Sequence, residues 1–280
     1  MRGRHHGRSC DKSWIVNIGV SVQEDFKKHT PHLLLIGGAT GLLSGVFGVG
    51  GGIILVPLLI MFLGFGHRSA AGTSAGAVLP AAIVGGTSYA INGDVDWVAA
   101  IALSIGIVGG AQVGSILLER LPERLLQVIF LIFLSSVLVS LWFVIPDRES
   151  VIELSSVALV ALLLVGFLTG VLSVLVGVGG GVLVVPVLIL FFGASDLIAK
   201  GTSLLMIIPG SLSATFGNLR YRNIDIPRAL LLGITAGAIS PLGVMISNLL
   251  SPTWSNILFS LLLSFVVCRM AVSLLRNRNK

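Results

Sequence analysis

The chain has 280 residues and carries 18 Lys and Arg against 12 Asp and Glu, a formal charge of +6, yet 11% of its side chains are charged while 55% are hydrophobic and 35 residues are glycine. A soluble domain is about 25% charged, so this composition excludes a soluble enzyme. The surplus cations read as topology signals beside a bilayer and give no nucleic-acid partner. Runs apolar on every face, such as Leu125–Ile145, exclude a membrane barrel, whose strands alternate in polarity over ~10 residues. The expectation is an all-α polytopic membrane protein. Cys10 and Cys268 are too few and too far apart for a disulfide framework or a metal site.

At the N-terminus, Arg2, Arg4, Arg8 and Lys12 precede an apolar run, Trp14–Val22. That run is short, contains Asn17 and lacks a small-x-small cleavage site, so it is not read as a signal peptide. Trp14, Ile18, Val22 and Phe26 recur every four residues ahead of Lys27 and Lys28. This is either an interfacial helix on an anionic leaflet or a tail with chance periodicity. Residues 1–31 form a basic cytoplasmic tail on both readings.

Leu33 to Gly64 is 32 residues, roughly 48 Å as one helix and too long for a hydrocarbon core of ~30 Å. The segment is expected to break at Gly48–Gly52 into a helical hairpin whose second arm, Ile53 to Gly64, does not cross fully. Plain spans follow at 69–91, 97–118 and 125–145. The second half has a first arm at 154–176 and plain spans at 198–219, 228–249 and 255–275.

The two halves are copies. GLLSGVFGVGGGIILVP at residues 41–57 returns as GVLSVLVGVGGGVLVVP at 170–186, an offset of 129. The same offset aligns Gly72-Thr73-Ser74 with Gly201-Thr202-Ser203, Pro80 with Pro209, Asp96 with Asp225 and Gly114 with Gly243. Residues 32–145 and 146–280 are thus a first and a second transmembrane repeat. Arg120 and Arg124, then Arg220, Arg222 and Arg228, and the basic termini mark cytoplasmic loops; 92–96, 146–153, 194–200 and 250–254 read as external. Loops 92–96 and 221–225 are equivalent, yet one carries two aspartates and the other is flanked by arginines. Equivalent positions therefore face opposite sides, and the repeat is read as inverted, with each copy a Gly-broken hairpin plus three transmembrane helices.

Irregular backbone survives in a bilayer only where it is buried in protein or lines a cavity. Gly48, Gly50, Gly51 and Gly52, with Gly177, Gly179, Gly180 and Gly181, supply amides and half-helix N-termini suited to a small anion. Glycines 41, 45, 109, 110 and 114 read as packing positions. Pro57 and Pro186 read as plain kinks. Thr73-Ser74 and Thr202-Ser203 either cap the helix after each hairpin or line the site. Ser44 and Ser173 lie one to two turns before the glycines, and Lys200 stands in an external loop, either solvated or drawing an anion inward. No ionisable residue falls in the middle of a plain span, so proton coupling has no obvious carrier. No Gly-Lys-Ser/Thr, paired carboxylates or Ser/His set appears, and no cofactor is expected.

The doubled G-x-L-S-x-x-x-G-V-G-G-G-x-x-x-V-P, each copy followed by Gly-Thr-Ser, resembles the sulfite exporter TauE/SafE family, also called toluene sulfonate uptake permeases. The resemblance implies a plasma (inner) membrane transporter of seven or eight helices moving sulfur oxyanions, organosulfonates or related organic anions. The motif glycines and the Thr/Ser pairs of both copies carry over as substrate-binding positions. The tail lies outside the common pattern. Expected partners are a small anionic substrate and the lipid bilayer, with the oligomeric state open. A membrane-embedded enzyme and a non-transporting accessory subunit are the competing readings, and anion flux in vesicles separates them.

Overall fold

The computed structural model describes residues 13–142 and 156–278, and every regular element among them is an α-helix. The helices are α1 (Ser13–Phe47), α2 (Gly52–Leu63), α3 (His67–Ile91), α4 (Trp97–Arg120) and α5 (Glu123–Trp142) in the first repeat. The second repeat holds α6 (Ser156–Val176), α7 (Gly181–Phe192), α8 (Asp196–Arg220), α9 (Ile226–Leu249) and α10 (Pro252–Arg278). Among the described residues, six helices are long and apolar enough to cross a membrane: α1 from Thr30, α3, α4, α6, α8 and α9. Their outward faces are apolar, as at Leu35, Val157 and Phe216, which suits lipid and not water. The chain is a multi-pass membrane protein.

Both hairpins break where the glycine motifs stand. The half-helices α2 and α7 each have 12 residues, about 18 Å. Each is closed by a left-handed glycine, Gly64 or Gly193 (φ 66° in both), whose N–H returns to the carbonyl of Leu59 or Leu188. The loops after α3 and α8 end alike, with Asp96 accepting from the Ala99 amide (2.9 Å) and Asp225 from the Arg228 amide (3.2 Å).

Two expectations shift. The helix at 13–28 is not separate from the first span: α1 runs unbroken from Ser13 through Pro31. Whether its apolar stripe lies in an interface concerns side chains outside the described residues, as do the basic residues 1–12 and the 146–153 loop. Further on, 194–200 is not a loop throughout, because α8 begins at Asp196 and takes Lys200 into its first turns.

The repeats are interleaved. α1 packs parallel to α9, with Gly37, Gly41 and Gly45 against Leu232, Ala236 and Ser240. α4 packs on α6 in the same sense, with Gly106, Gly110 and Gly114 against Leu163, Phe167 and Val171. A Cβ added at Gly41 would lie 2.1 Å from the Ala236 carbonyl oxygen, and one at Gly110 would lie 2.0 Å from that of Phe167. Glycine is required there because backbones touch. Gly109 is the exception among the expected packing positions, with only the Phe167 ring at 3.7 Å. Between these pairs stand α3 and α8, equivalent by the offset of 129. Gly72 near the start of α3 lies against Asn223 after the end of α8, and Gly201 near the start of α8 against Asp94 after the end of α3. The two helices are therefore antiparallel.

Candidate functional site

The break at each tip is a backbone conformation that only glycine adopts freely. Gly48, Gly50 and Gly51 have φ of 68°, 73° and 73°, and Gly177, Gly179 and Gly180 have 75°, 88° and 91°. A side chain at any of them would cost roughly 1–2 kcal/mol. Gly51 and Gly180 are the N-caps of α2 and α7, and no side chain caps either helix. The first intrahelical bonds begin at Ile54 and Leu183, so the amides of Gly52, Ile53, Gly181 and Val182 come before them. Both positive helix ends thus open into the protein interior.

The tips touch. A Cβ on Gly52 would lie 2.7 Å from the Gly177 carbonyl oxygen, and one on Gly181 would lie 2.6 Å from that of Gly48. Gly50 and Gly179 both face Val78 and Ile207, which the offset also pairs. The sequence reading brings the two half-helices together at one point, and the structure does so with no gap between the backbones.

The Gly-Thr-Ser triplets hold this junction, each acting on the other repeat. The Ser203 hydroxyl donates to the Gly48 carbonyl, and the Ser74 hydroxyl to that of Gly177 at 2.7 Å. Thr202 accepts from the Asp96 amide (3.0 Å), and Thr73 from the Asp225 amide (3.1 Å). Gly201 and Gly72 admit the backbone of the same loops. These hydroxyls cap nothing, since α3 and α8 begin at His67 and Asp196. Each triplet ties its own helix to both the hairpin turn and a loop of the other copy.

Lys200 is neither solvated nor reaching for an anion from a loop. It is 2% exposed, and its ammonium bonds Asp196 (2.8 Å), Ser247 (3.0 Å) and Ser255 (3.0 Å). An ammonium has three protons, and these three acceptors match them. Ser44 and Ser173 close the last turn before each tip through their carbonyls, which accept from Gly48 and Gly177.

Two residues that sequence reasoning passed over complete the geometry. Thr40 lies against Gly51, and Thr169 lies against Gly180. Both are buried, at 2% and 1% exposure, and neither hydroxyl has a hydrogen-bond partner. The signal was available, because Thr40 and Thr169 stand one position before the duplicated motif and match under the same offset. Among the described residues no group of His, Cys, Asp and Glu is placed to hold a metal. At the mouth of the loop after α8, a cavity of about 570 Å³ is lined by Phe65, Ser69, Arg222, Asn223, Asp225 and Arg228.

Two broken hairpins meeting inside a bundle of spanning helices are the architecture of a membrane transporter. The family model described as Sulfite exporter TauE/SafE matches residues 11–141 and 162–280, and the chain belongs to that family. It is 26% identical over 266 residues to a "Probable membrane transporter protein" of Methanocaldococcus jannaschii, covering 87% of this chain and 96% of that one. It is 30% identical over 220 residues to a protein of the same printed name from Xylella fastidiosa strain 9a5c, covering 74% and 81%. No solved structure matches significantly.

Proposed function

We propose that the protein carries small anions, sulfur oxyanions or organosulfonates, across the plasma membrane, and that the hairpin tips are where the anion is held. The observation that supports this is the pair of uncapped half-helix N-termini at Gly51 and Gly180, set among amides and hydroxyls with no acidic side chain in either turn. Such ends favour negative charge. Glycines 48, 50–52, 177 and 179–181 give the anion backbone donors. Thr73, Ser74, Thr202 and Ser203 hold the two turns at the spacing the ion meets, and Ser44 and Ser173 set the helix ends behind them. Because the turns now abut, this is a closed arrangement, and the ion enters when one hairpin moves away from the other.

The termini and the arginine-bearing loops are placed in the cytoplasm by the charge bias. Flux into liposomes containing the purified protein tests the whole reading: sulfite, thiosulfate or a sulfonate should cross, and sodium or a neutral sugar should not. Preference for the latter would refute it. For orientation, single cysteines replacing Asp94 and Asn223 should label from opposite sides of intact cells.

A further inference from the structure

The loops after α8 and after α3 are equivalent by the offset of 129 and are latched alike, through Thr73 and Thr202. Their surroundings are not alike. Phe65, Arg222 and Arg228 line the cavity of about 570 Å³ at the first of these loops, and the matching positions at the second are Ala194, Gly93 and Ala99. Packing that the shared fold requires recurs in both copies, so an aromatic ring and two guanidiniums that stand in one copy alone answer to something else. We propose that this cavity is an anion site of its own, apart from the hairpin tips, and that it takes an oxyanion group carried on an apolar body. The site goes beyond the anion-transport reading, because a ligand binds there whether or not the tips pass an anion.

The cations are held in place at the cavity. Arg228 lies over the Phe65 ring, 5.2 Å from its centre, and its Nη1 donates to Asp225 at 2.7 Å. Its side chain is 19% exposed, whereas an arginine that only marks topology needs neither a ring nor a cavity. Asp225 is the one carboxylate in the lining, and both its oxygens are engaged, by the Arg228 amide (3.2 Å) and by the guanidinium. Two guanidiniums against one carboxylate leave the lining positive, which favours an anion over a metal ion. Arg222 keeps a positive φ of 57° where the other copy has glycine. A strained residue retained at a cavity points to a use for its side chain.

The volume falls within the roughly 300–1,000 Å³ of small-molecule sites. Guanidiniums grip the oxygens of sulfonate, carboxylate or phosphate groups in a planar fork. Ile224, Ile226 and Pro227 join Phe65 in making the rest of the wall apolar. A bare oxyanion leaves that wall wet, whereas an organic anion covers it. Two sources supply such a group: a small organic anion from solution and the headgroup of an anionic lipid. The site also adjoins the junction, since the Asp225 amide donates to Thr73 (3.1 Å) and the next residue, Ser74, holds the Gly177 carbonyl (2.7 Å).

The test is equilibrium binding of radiolabelled benzenesulfonate to the purified full-length protein in neutral detergent. Arg222→Gln and Arg228→Gln each remove one cation, and Phe65→Leu removes the ring. Arg124→Gln, at the start of α5 and outside the cavity, controls for net charge. Each cavity variant should weaken binding about tenfold, equivalent to about 1.4 kcal/mol, while Arg124→Gln stays within about twofold of the parent. Arg222 is exposed, so Arg222→Gln tests the site even if Arg228→Gln lowers stability. Two further arms identify the source. For a carried anion, the cavity variants raise KM for benzenesulfonate flux into phosphatidylcholine liposomes about tenfold and leave Vmax within about twofold. For a lipid, phosphatidylglycerol displaces benzenesulfonate from the parent and the variants leave KM unmoved. Cavity variants that bind as tightly as Arg124→Gln, or four variants weakened alike, would show that the arginines serve topology alone and overturn the site. A parent that binds benzenesulfonate yet passes no anion would overturn the transport reading and leave the site standing.

Discussion

At the hairpin tips the two repeats are interchangeable, down to the residue that donates each hydrogen bond. Ser74 serves Gly177 as Ser203 serves Gly48, and Thr73 receives Asp225 as Thr202 receives Asp96. At the helix starts behind the tips the likeness ends. His67 stands where the second copy has Asp196, and Ala71 where it has Lys200. His67 Nε2 lies 3.2 Å from the Leu175 carbonyl, whereas Asp196 and Lys200 form an ion pair, each side chain 3% exposed, tied to α9 and α10. The difference is instructive. Where the same hydrogen bond is made in both directions across the junction, each copy constrains its duplicate and the two stay alike. At the two opposite ends the surroundings differ, and the residues have followed them.

The largest expected effect comes from breaking the asymmetric end. Lys200→Met leaves the Asp196 carboxylate buried without its cation, and losing one partner of a buried pair costs about 3–5 kcal/mol. The melting temperature of the purified protein should fall by many degrees, and Asp196→Asn combined with Lys200→Met should recover most of the loss. A single variant as stable as the parent would show that the ion pair contributes nothing to the contrast.

Next come the symmetric latches. Ser74→Ala and Ser203→Ala each leave a buried carbonyl, of Gly177 or Gly48, without its donor, at about 1–3 kcal/mol. The two losses should agree within about 0.5 kcal/mol, since the geometry does. A large inequality in denaturation would break the equivalence of the tips.

The glycines sharpen the same point. Gly180→Ala forces a side chain to φ 91°, about 1–2 kcal/mol, yet its Cβ meets only side chains that can yield, those of Thr169, Ile107 and Met206. It should reach the membrane and fail in flux. Gly51→Ala also meets the Thr40 carbonyl oxygen at 2.6 Å, so it should lose stability as well. Gly109→Ala, in open contact with Phe167, should be neutral within about 0.5 kcal/mol in both expression and transport.

A small effect of opposite sign belongs to Arg222, the one non-glycine residue with positive φ (57°) among those described, at the position where the first copy has Gly93 (φ 83°). Arg222→Gly should stabilise by up to about 1 kcal/mol. Because the arginine lines the cavity beside Arg228, the change should also slow sulfite entry at low salt, and the slowing should vanish near 1 M salt, where screening reaches about 3 Å.

Membrane class, the duplication, the hairpin breaks and the family were legible from residue order alone. Hydropathy and glycine punctuation act along the chain, and a repeat is a statement about the chain. The tertiary structure decided what acts across it. Thr73, Ser74, Thr202 and Ser203 looked like caps or lining because their partners stand more than a hundred residues away, in the other copy. Lys200 looked like a loop cation because Ser247 and Ser255, which bury it, belong to helices that only packing brings near. Thr40 and Thr169 drew no reading from the sequence, since an unused hydroxyl is visible only once every neighbour has been placed. A sequence specifies which groups need partners, and the fold alone determines which of them go without.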